Sequence, residues 1–363
     1  MAETRNDSSS PPPPLSHIGE MTGYAPGEQP KSRPFIKLNT NENPYPPSPK
    51  VLERLATACD DGLRRYPDAD ATGVRQRLST LFDLPAESFI VGNGSDELLN
   101  VLLRCYAGRG DAVVYPTPTY PYYAKLIALQ DARPMEVALD DDFFVDVDAL
   151  ASIADARVTL LANPNSPSGV ALSSGAVEQL AQATKGILVV DEAYVDFARE
   201  GAMDLVRRFA NVVVMRTLSK SFSLAGMRVG FCASHPQVAT TLCKVKEHYN
   251  ISALSQVAAE AALDDVDWMS CNAERVVETR KSLTESLRQR DFHVWESAAN
   301  FVLTRVPAGR SAQNLYTGLR QHGILVRYFG KTSSRLAGCL RISIGSDEEN
   351  EALIQGIDRL LCD

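Results

Sequence analysis

The sequence predicts an α/β protein: a large unit built on a mostly parallel sheet flanked by helices, followed by a smaller α+β unit. Two observations carry that prediction. Short apolar runs at 89–91, 112–115, 157–162, 187–190, 212–215 and 229–232 alternate with longer amphipathic stretches at 96–106, 120–129 and 174–184. Strands that alternate with helices need crossover connections, which set successive strands parallel and cover both faces of the sheet. From about residue 268 the alternation stops. A charged helix over 271–289 leads into strands at 294–296 and 301–304, a helix at 312–322, and strands around Leu325 and Leu340.

Taken in chain order, residues 1 to about 20 read as a disordered or extended arm. The run S-S-S-P-P-P-P from Ser8 to Pro14 cannot enter a helix or a central strand. Residues 24–34 continue as irregular chain, and helices follow at 51–62 and 73–82. These elements divide the chain into an arm (1–34), a large unit (35–267) whose first residues are free to pack on the smaller one, and a small C-terminal unit (268–363). There is no internal repeat.

At 363 residues, with 44% hydrophobic and 23% charged residues, the composition is that of an ordinary soluble globular protein. A net charge of -8 lacks the basic footprint of a nucleic-acid binder, although a few local arginines can still hold small anions. The 7 cysteines are scattered without a C-x-x-C pair, as expected for a reducing cytoplasm and not for a disulfide framework or zinc site. No apolar stretch approaches the roughly 20 residues of a membrane span, and the N-terminus lacks a secretory apolar core. A cytoplasmic protein is expected.

The run from Val212 to Phe231, V-V-V-M-R-T-L-S-K-S-F-S-L-A-G-M-R-V-G-F, is the most informative in the chain. It sets Lys220 just past an apolar strand, among small hydroxyl residues and eight positions before Arg228. Lysine is normally solvated on an exposed face. A lysine placed like this one suits a Schiff base with an aldehyde cofactor, whose phosphate nearby hydroxyls and an arginine would hold. Asp191 ends another apolar strand, 187–190. A carboxylate there must find a partner or shift its pKa, so it is either a capping or salt-bridged group or, paired with Lys220, the counter-ion of a protonated pyridine nitrogen.

Further polar groups fall at other strand ends, where open α/β sheets bind ligands. Gly92-Asn-Gly-Ser-Asp-Glu97 joins a strand to a helix, and the amides at that helix start form an anion site. With Asp111 further on, the same stretch looks like a dinucleotide fingerprint, but Glu97 stands in place of the third glycine. It reads as a cradle for a single phosphate. Tyr120, in P-T-Y-P-Y-Y, offers an aromatic face to a flat ring, whereas Tyr122 and Tyr123 read as amphipathic core. Asn163 to Gly169 is a proline-punctuated loop on the same rim. In the smaller unit, Arg327 and Arg341 lie within strand patterns and suit either a structural salt bridge or a bidentate carboxylate or phosphate. The five histidines stand apart without ligand spacing, so no metal site is expected.

Assembled, these motifs resemble the fold-type I pyridoxal-phosphate aminotransferases and, within them, the histidinol-phosphate aminotransferase group. The likeness runs from Tyr24 onward through Y-A-P-G, L-N-T-N-E-N-P-Y, R-Y-P-D, G-N-G-S-D-E, P-T-Y, N-P-N-S-P-S-G, V-V-D-E-A-Y, R-T-L-S-K-S-F-S-L-A-G-M-R-V-G and L-R-I-S-I-G. The resemblance implies pyridoxal 5'-phosphate as cofactor, carried covalently by Lys220. Asp191 would face the ring nitrogen, Tyr194 and Ser166 the ring hydroxyl, and Tyr120 the ring face. Thr217, Ser219, Arg228 and the amides of Ser95 and Asp96 would hold the phosphate, joined by Tyr66 from the neighbouring subunit of a homodimer with shared sites. Arg341, with Arg327, Tyr24 and Asn43, would form the substrate's anion pocket. One departure is plain: the family usually has asparagine where Ser166 stands, and the shorter hydroxyl either reaches the ring hydroxyl through water or leaves Tyr194 as its main partner. The implied reaction is transamination of L-histidinol phosphate with 2-oxoglutarate in histidine biosynthesis. An aromatic amino acid aminotransferase and a threonine-phosphate decarboxylase share the motifs, and a dinucleotide oxidoreductase is the rival from another class.

Overall fold

The computed structural model describes residues 12–23, 27–29, 35–330 and 334–362. Twelve strands form two sheets among these residues: β1 (Ile36–Leu38), β2 (Phe89–Gly92), β3 (Ala112–Thr117), β4 (Arg133–Ala138), β5 (Ala156–Ala162), β6 (Ile187–Asp191), β7 (Val212–Thr217), β8 (Gly230–Ser234), β9 (His293–Val294), β10 (Phe301–Arg305), β11 (Ile324–Tyr328) and β12 (Cys339–Ser343).

The larger sheet runs β2-β8-β7-β6-β5-β3-β4, and only β8 opposes its neighbours. This is the mostly parallel α/β sheet expected. Its central strands are buried on both faces, which is why they read as unbroken apolar runs. On β6, Leu188 and Val190 enter one core while Ile187 and Val189 enter the other; β7 divides the same way, with Val212 and Val214 opposite Val213 and Met215. Parallel register sets Ala162 beside Asp191 and Asp191 beside Met215. The loops that follow β5, β6 and β7 therefore emerge along one edge.

The smaller sheet runs β1-β11-β12-β10-β9. Strand β1 comes from the N-terminal part of the chain and pairs in parallel with β11, Ile36 opposite Ile324. The remaining pairs are antiparallel. In one of them Arg327 lies opposite Arg341, so two guanidinium groups share a face of this sheet.

Several expectations need correction. The arm is not wholly extended, because Ser16–Glu20 forms a short helix once the prolines have passed; residues 1–11 lie outside the described residues. The helix expected over 51–62 is Pro49–Ala58, started by Ser48 Oγ accepting from the Lys50 amide at 3.1 Å, with a 3-10 turn at Asp61–Arg64. The long helix starts earlier than expected and spans Val266–Arg288. Strands β1 and β4 and the helices Pro236–Cys243, Ala253–Leu263 and Asp347–Cys362 have no counterpart in the sequence reading.

Directly after Asp191, Glu192 is fully buried and pairs with Arg216 of β7 at 2.8 Å. It also accepts from the Ala202 amide, and burial still holds its carboxyl above the ordinary range. Arg216 reaches Asp196 at 3.7 Å, and Asp196 accepts from the Ser221 hydroxyl, which ties the Lys220 loop to this buried pair. Removing one member of a buried pair leaves the other charge uncompensated. Arg216→Met is expected to lower the unfolding free energy by about 3–5 kcal/mol at neutral pH. Urea denaturation measures it, and a loss below about 1 kcal/mol, the worth of an exposed pair, would contradict it.

Candidate active site

A cavity of about 850 Å³ opens at the carboxyl edge of the larger sheet and extends to the face of the smaller one that carries Arg327 and Arg341. Asp191 lies on its floor at 6% exposure. The Tyr123 hydroxyl donates to Asp191 Oδ2 at 2.8 Å, and the Ala193 amide donates to Oδ1 at 3.2 Å. These bonds favour the anion, but burial outweighs them and pushes the carboxyl up to about 6. Burial, and after it the neighbouring carboxylate, pushes the Tyr123 phenol well above its ordinary value. A carboxylate this desolvated is best completed by a cation facing it.

The same cavity holds an anion cradle. Gly92 ends β2, Gly94 takes φ 83°, and the helix Ser95–Tyr106 begins. A Cβ added at Gly94 would sit 2.4 Å from Arg228 Nη2, and one at Gly230 would sit 2.4 Å from the Ser95 amide nitrogen. Only glycine lets the guanidinium and the helix start approach this closely. Arg228, itself at φ 53°, donates to Ser219 Oγ at 3.3 Å and lies 3.7 Å from Asp96. Thr217 Oγ1 accepts from the Ser219 amide at 3.1 Å and so shapes the same turn. Glu97 is not a defective third glycine: it accepts from the Asn93 amide and, at 2.8 Å, from Asn250. It braces the turn, and the dinucleotide reading loses its remaining support.

Lys220 lines the cavity together with both of these groups. Its Nζ donates to the Thr40 carbonyl at 3.1 Å and lies 5.7 Å from the centre of the Tyr194 ring. Tyr120 donates to Asp96 at 3.2 Å and packs edge-on against Tyr123 at 5.6 Å, on the cavity wall. The Tyr194 hydroxyl accepts from Asn41 Nδ2 at 3.0 Å. Ser166 Oγ accepts from Arg341 Nη1 at 3.2 Å, while Arg341 Nη2 donates to the Asn39 carbonyl at 2.9 Å. Asn165 points away from the cavity, accepting from Thr119 at 2.6 Å and donating to Ser168 at 3.0 Å. Arg327 lines the cavity and has no hydrogen-bond or ion-pair partner among the described residues.

Of the residues expected at the site, Lys220, Asp191, Tyr194, Ser95, Asp96, Tyr120, Ser166, Thr217, Ser219, Arg228, Arg327 and Arg341 all line this one cavity. Asn43 is not among the lining residues. Its amide donates to the carbonyls of Lys220 and Ser221 at 3.2 and 3.0 Å, so it braces the lysine loop from behind. Tyr66 is 81% exposed and stacks on Tyr249 at 4.6 Å, outside the cavity of its own chain. Tyr24 lies outside the described residues. Tyr123 and Asn41 were not anticipated. The spacing gave no signal for Tyr123, whose carboxylate partner is 68 residues away. A buried anion, an anion cradle and an amine in one cavity match a flat cationic ring that carries a phosphate.

Comparison with known proteins agrees with this geometry. The family model described as aminotransferase class I and II matches residues 33–357. The chain is 44% identical over 345 residues to the histidinol-phosphate aminotransferase of Citrifermentans bemidjiense, covering 95% of this chain and 97% of that one. It is likewise 44% identical to histidinol-phosphate aminotransferase 1 of Trichormus variabilis, over 95% and 98% of the two chains. Among solved structures, histidinol-phosphate aminotransferase from Sinorhizobium meliloti in complex with pyridoxal-5'-phosphate superposes with a TM-score of 0.89 at 26% identity, over 98% of this chain and 99% of that one. With sequence and fold in agreement over almost its whole length, the chain belongs to the class I and II aminotransferases.

Proposed function

We propose that the protein is a pyridoxal-phosphate-dependent transaminase that converts L-histidinol phosphate and 2-oxoglutarate to imidazole acetol phosphate and L-glutamate, in histidine biosynthesis. The observation that carries the chemistry is Lys220 in one cavity with the buried Asp191 and the Gly94–Arg228 cradle. The name shared by relatives at 44% identity supports the substrate. Bound pyridoxal phosphate would supply an electron sink for the carbanion left when the substrate's α-proton is removed.

The chain's own residues divide the remaining work. Asp191, whose carboxyl is held near 6 by burial, becomes a stable anion opposite a protonated ring nitrogen. Tyr120 would face the ring, and the Tyr194 hydroxyl would donate to the ring oxygen. The Ser95 and Asp96 amides, Thr217, Ser219 and Arg228 would hold the phosphate at a helix start, where the helix dipole favours an anion. Lys220 Nζ would hold the cofactor, and as a free amine it would move the proton at the substrate's α-carbon. Arg341, fixed by Ser166 and the Asn39 carbonyl, takes one anionic end of the substrate. Arg327 beside it lets the pocket accept either a carboxylate or a phosphate. The exposure of Tyr66 supports a homodimer in which it serves the partner's site. A cytoplasmic location accords with a biosynthetic role, and among the described residues no helix is long and apolar enough to cross a membrane.

Borohydride reduction of the holoenzyme is expected to fix the cofactor on Lys220, and Lys220→Ala to lose both that trapping and the half-reactions by at least roughly 10²–10⁴-fold. Transfer of fluorescence to a nicotinamide cofactor, with no trapped pyridoxal phosphate, would overturn the reading. Half-reactions with histidinol phosphate, phenylalanine and threonine phosphate decide the substrate, and turnover of phenylalanine alone contradicts it.

Arg327→Ala is expected to raise KM for histidinol phosphate about 10- to 100-fold with a smaller change in kcat, the worth of charge-assisted hydrogen bonds. An unchanged KM would remove Arg327 from the pocket.

For Asp191 the sign follows from its raised carboxyl. Its native form binds a proton more tightly than the unfolded chain does, so its contribution to stability is fully present below about pH 4 and is lost as pH rises through about 6. In cofactor-free protein, wild type minus Asp191→Asn should therefore fall by about 2–3 kcal/mol between pH 4 and 7. Denaturant unfolding across that range measures it, and a flat difference contradicts it.

A further inference from the structure

Asn41 stands where three parts of the chain meet. It follows β1 with left-handed backbone, φ 57°, and its side chain is buried. Its Nδ2 donates to the Tyr194 hydroxyl oxygen at 3.0 Å. Its Oδ1 accepts from Ser343 Oγ at 3.0 Å, and its own amide N–H donates to that same Oγ at 2.9 Å. Its carbonyl accepts from Asn300 Nδ2 at 3.0 Å. Ser343, on β12, thus spends its proton on the amide oxygen and holds the amide with its nitrogen toward Tyr194.

A phenol has one proton to donate and two lone pairs, whereas an amide NH₂ can only donate. Against Asn41 the Tyr194 oxygen can therefore only accept. No acceptor among the described residues takes the Tyr194 proton, and Tyr194 lines the cavity. We propose that Asn41 is a positioning residue for Tyr194: by occupying a lone pair of its oxygen, it turns the hydroxyl proton into the cavity, onto the ring oxygen of the cofactor. Ser166, the other group at this position, accepts from Arg341 in the same way, so its proton also stays free and the donation is shared with Tyr194. The inference depends on the reading above that Tyr194 meets the ring oxygen, and the experiment separates the two.

The measurement is a pH titration of the visible absorption of the holoenzyme, which follows the proton on Lys220 Nζ while it holds the cofactor. A donor to the neighbouring ring oxygen disperses its negative charge, so that proton is released more easily. Tyr194→Phe should raise the midpoint. Asn41→Gly removes the amide without straining the left-handed backbone, and should raise it by about 0.5 pH unit or more, a roughly threefold change in proton affinity. In a Tyr194→Phe background the same change should do nothing further, because the two act as one unit. Asn41→Asp keeps the shape, offers only acceptors to the Tyr194 proton, and should raise the midpoint at least as far; it decides the matter if the glycine variant does not fold. If Tyr194→Phe leaves the midpoint in place, the reading of Tyr194 fails and this inference falls with it. If Tyr194→Phe moves it and the Asn41 variants do not, the positioning role alone is overturned, even where thermal stability drops. An Asn41→Gly shift that persists undiminished without the Tyr194 hydroxyl overturns it too.

Discussion

A carboxylate withdrawn from water at the end of a buried strand is the constraint around which the rest of this molecule is arranged. Asp191 has two hydrogen bonds, from Tyr123 and Ala193, and they do not recover what its burial costs. The parallel sheet makes the deficit useful. Because β5, β6 and β7 end in register, the loop after each reaches the same cavity as the carboxylate. Behind it the buried Glu192–Arg216 pair fixes the next turn, and through Asp196 and Ser221 it reaches the loop that carries Lys220.

What could be seen in the sequence follows from the same energetics. The central strands were legible because burial on both faces makes them continuous apolar runs, and a polar residue at the end of such a run is conspicuous. Asp191 and Lys220 were found that way, and Arg341 as a charge inside a strand pattern. Strand β4 was not, since it is an edge strand whose R-P-M-E-V-A alternates between exposed and half-buried. Three-residue β1 is too short to show a period, and the Ala-rich helix Ala253–Leu263 is buried nearly all round, so it lacks a polar face to mark it. Asn41 and Tyr123 act through partners far along the chain. In a run such as N-T-N-E-N, one asparagine looks like another until the fold assigns each its contacts, which is why Asn43 was placed on the substrate side and Asn41 was not placed at all.

That run does much of the joining between the two sheets. Within five residues, the Asn39 carbonyl holds Arg341, the Thr40 carbonyl receives Lys220, the Asn41 amide meets Tyr194, and the Asn43 amide braces the backbone of Lys220 and Ser221. Strand β1, immediately before it, is anchored in the smaller sheet. One short segment, tied at both ends, therefore holds both Lys220 and Arg341.

The pairing of this early segment with late strands has a consequence for how the molecule comes into being. Asn41 and Ser343 are 302 residues apart, and β1 finds its neighbour only when β11 has been made. A chain synthesised from its N-terminus can complete the larger sheet, with Lys220, Asp191 and the glycine cradle, by Ser234, while β1 still has no sheet to join. Contacts so distant in sequence form late because their loop-closure entropy must be met first. The half of the cavity on the larger sheet, with Lys220 and Asp191, is therefore built before the half that carries Arg327 and Arg341.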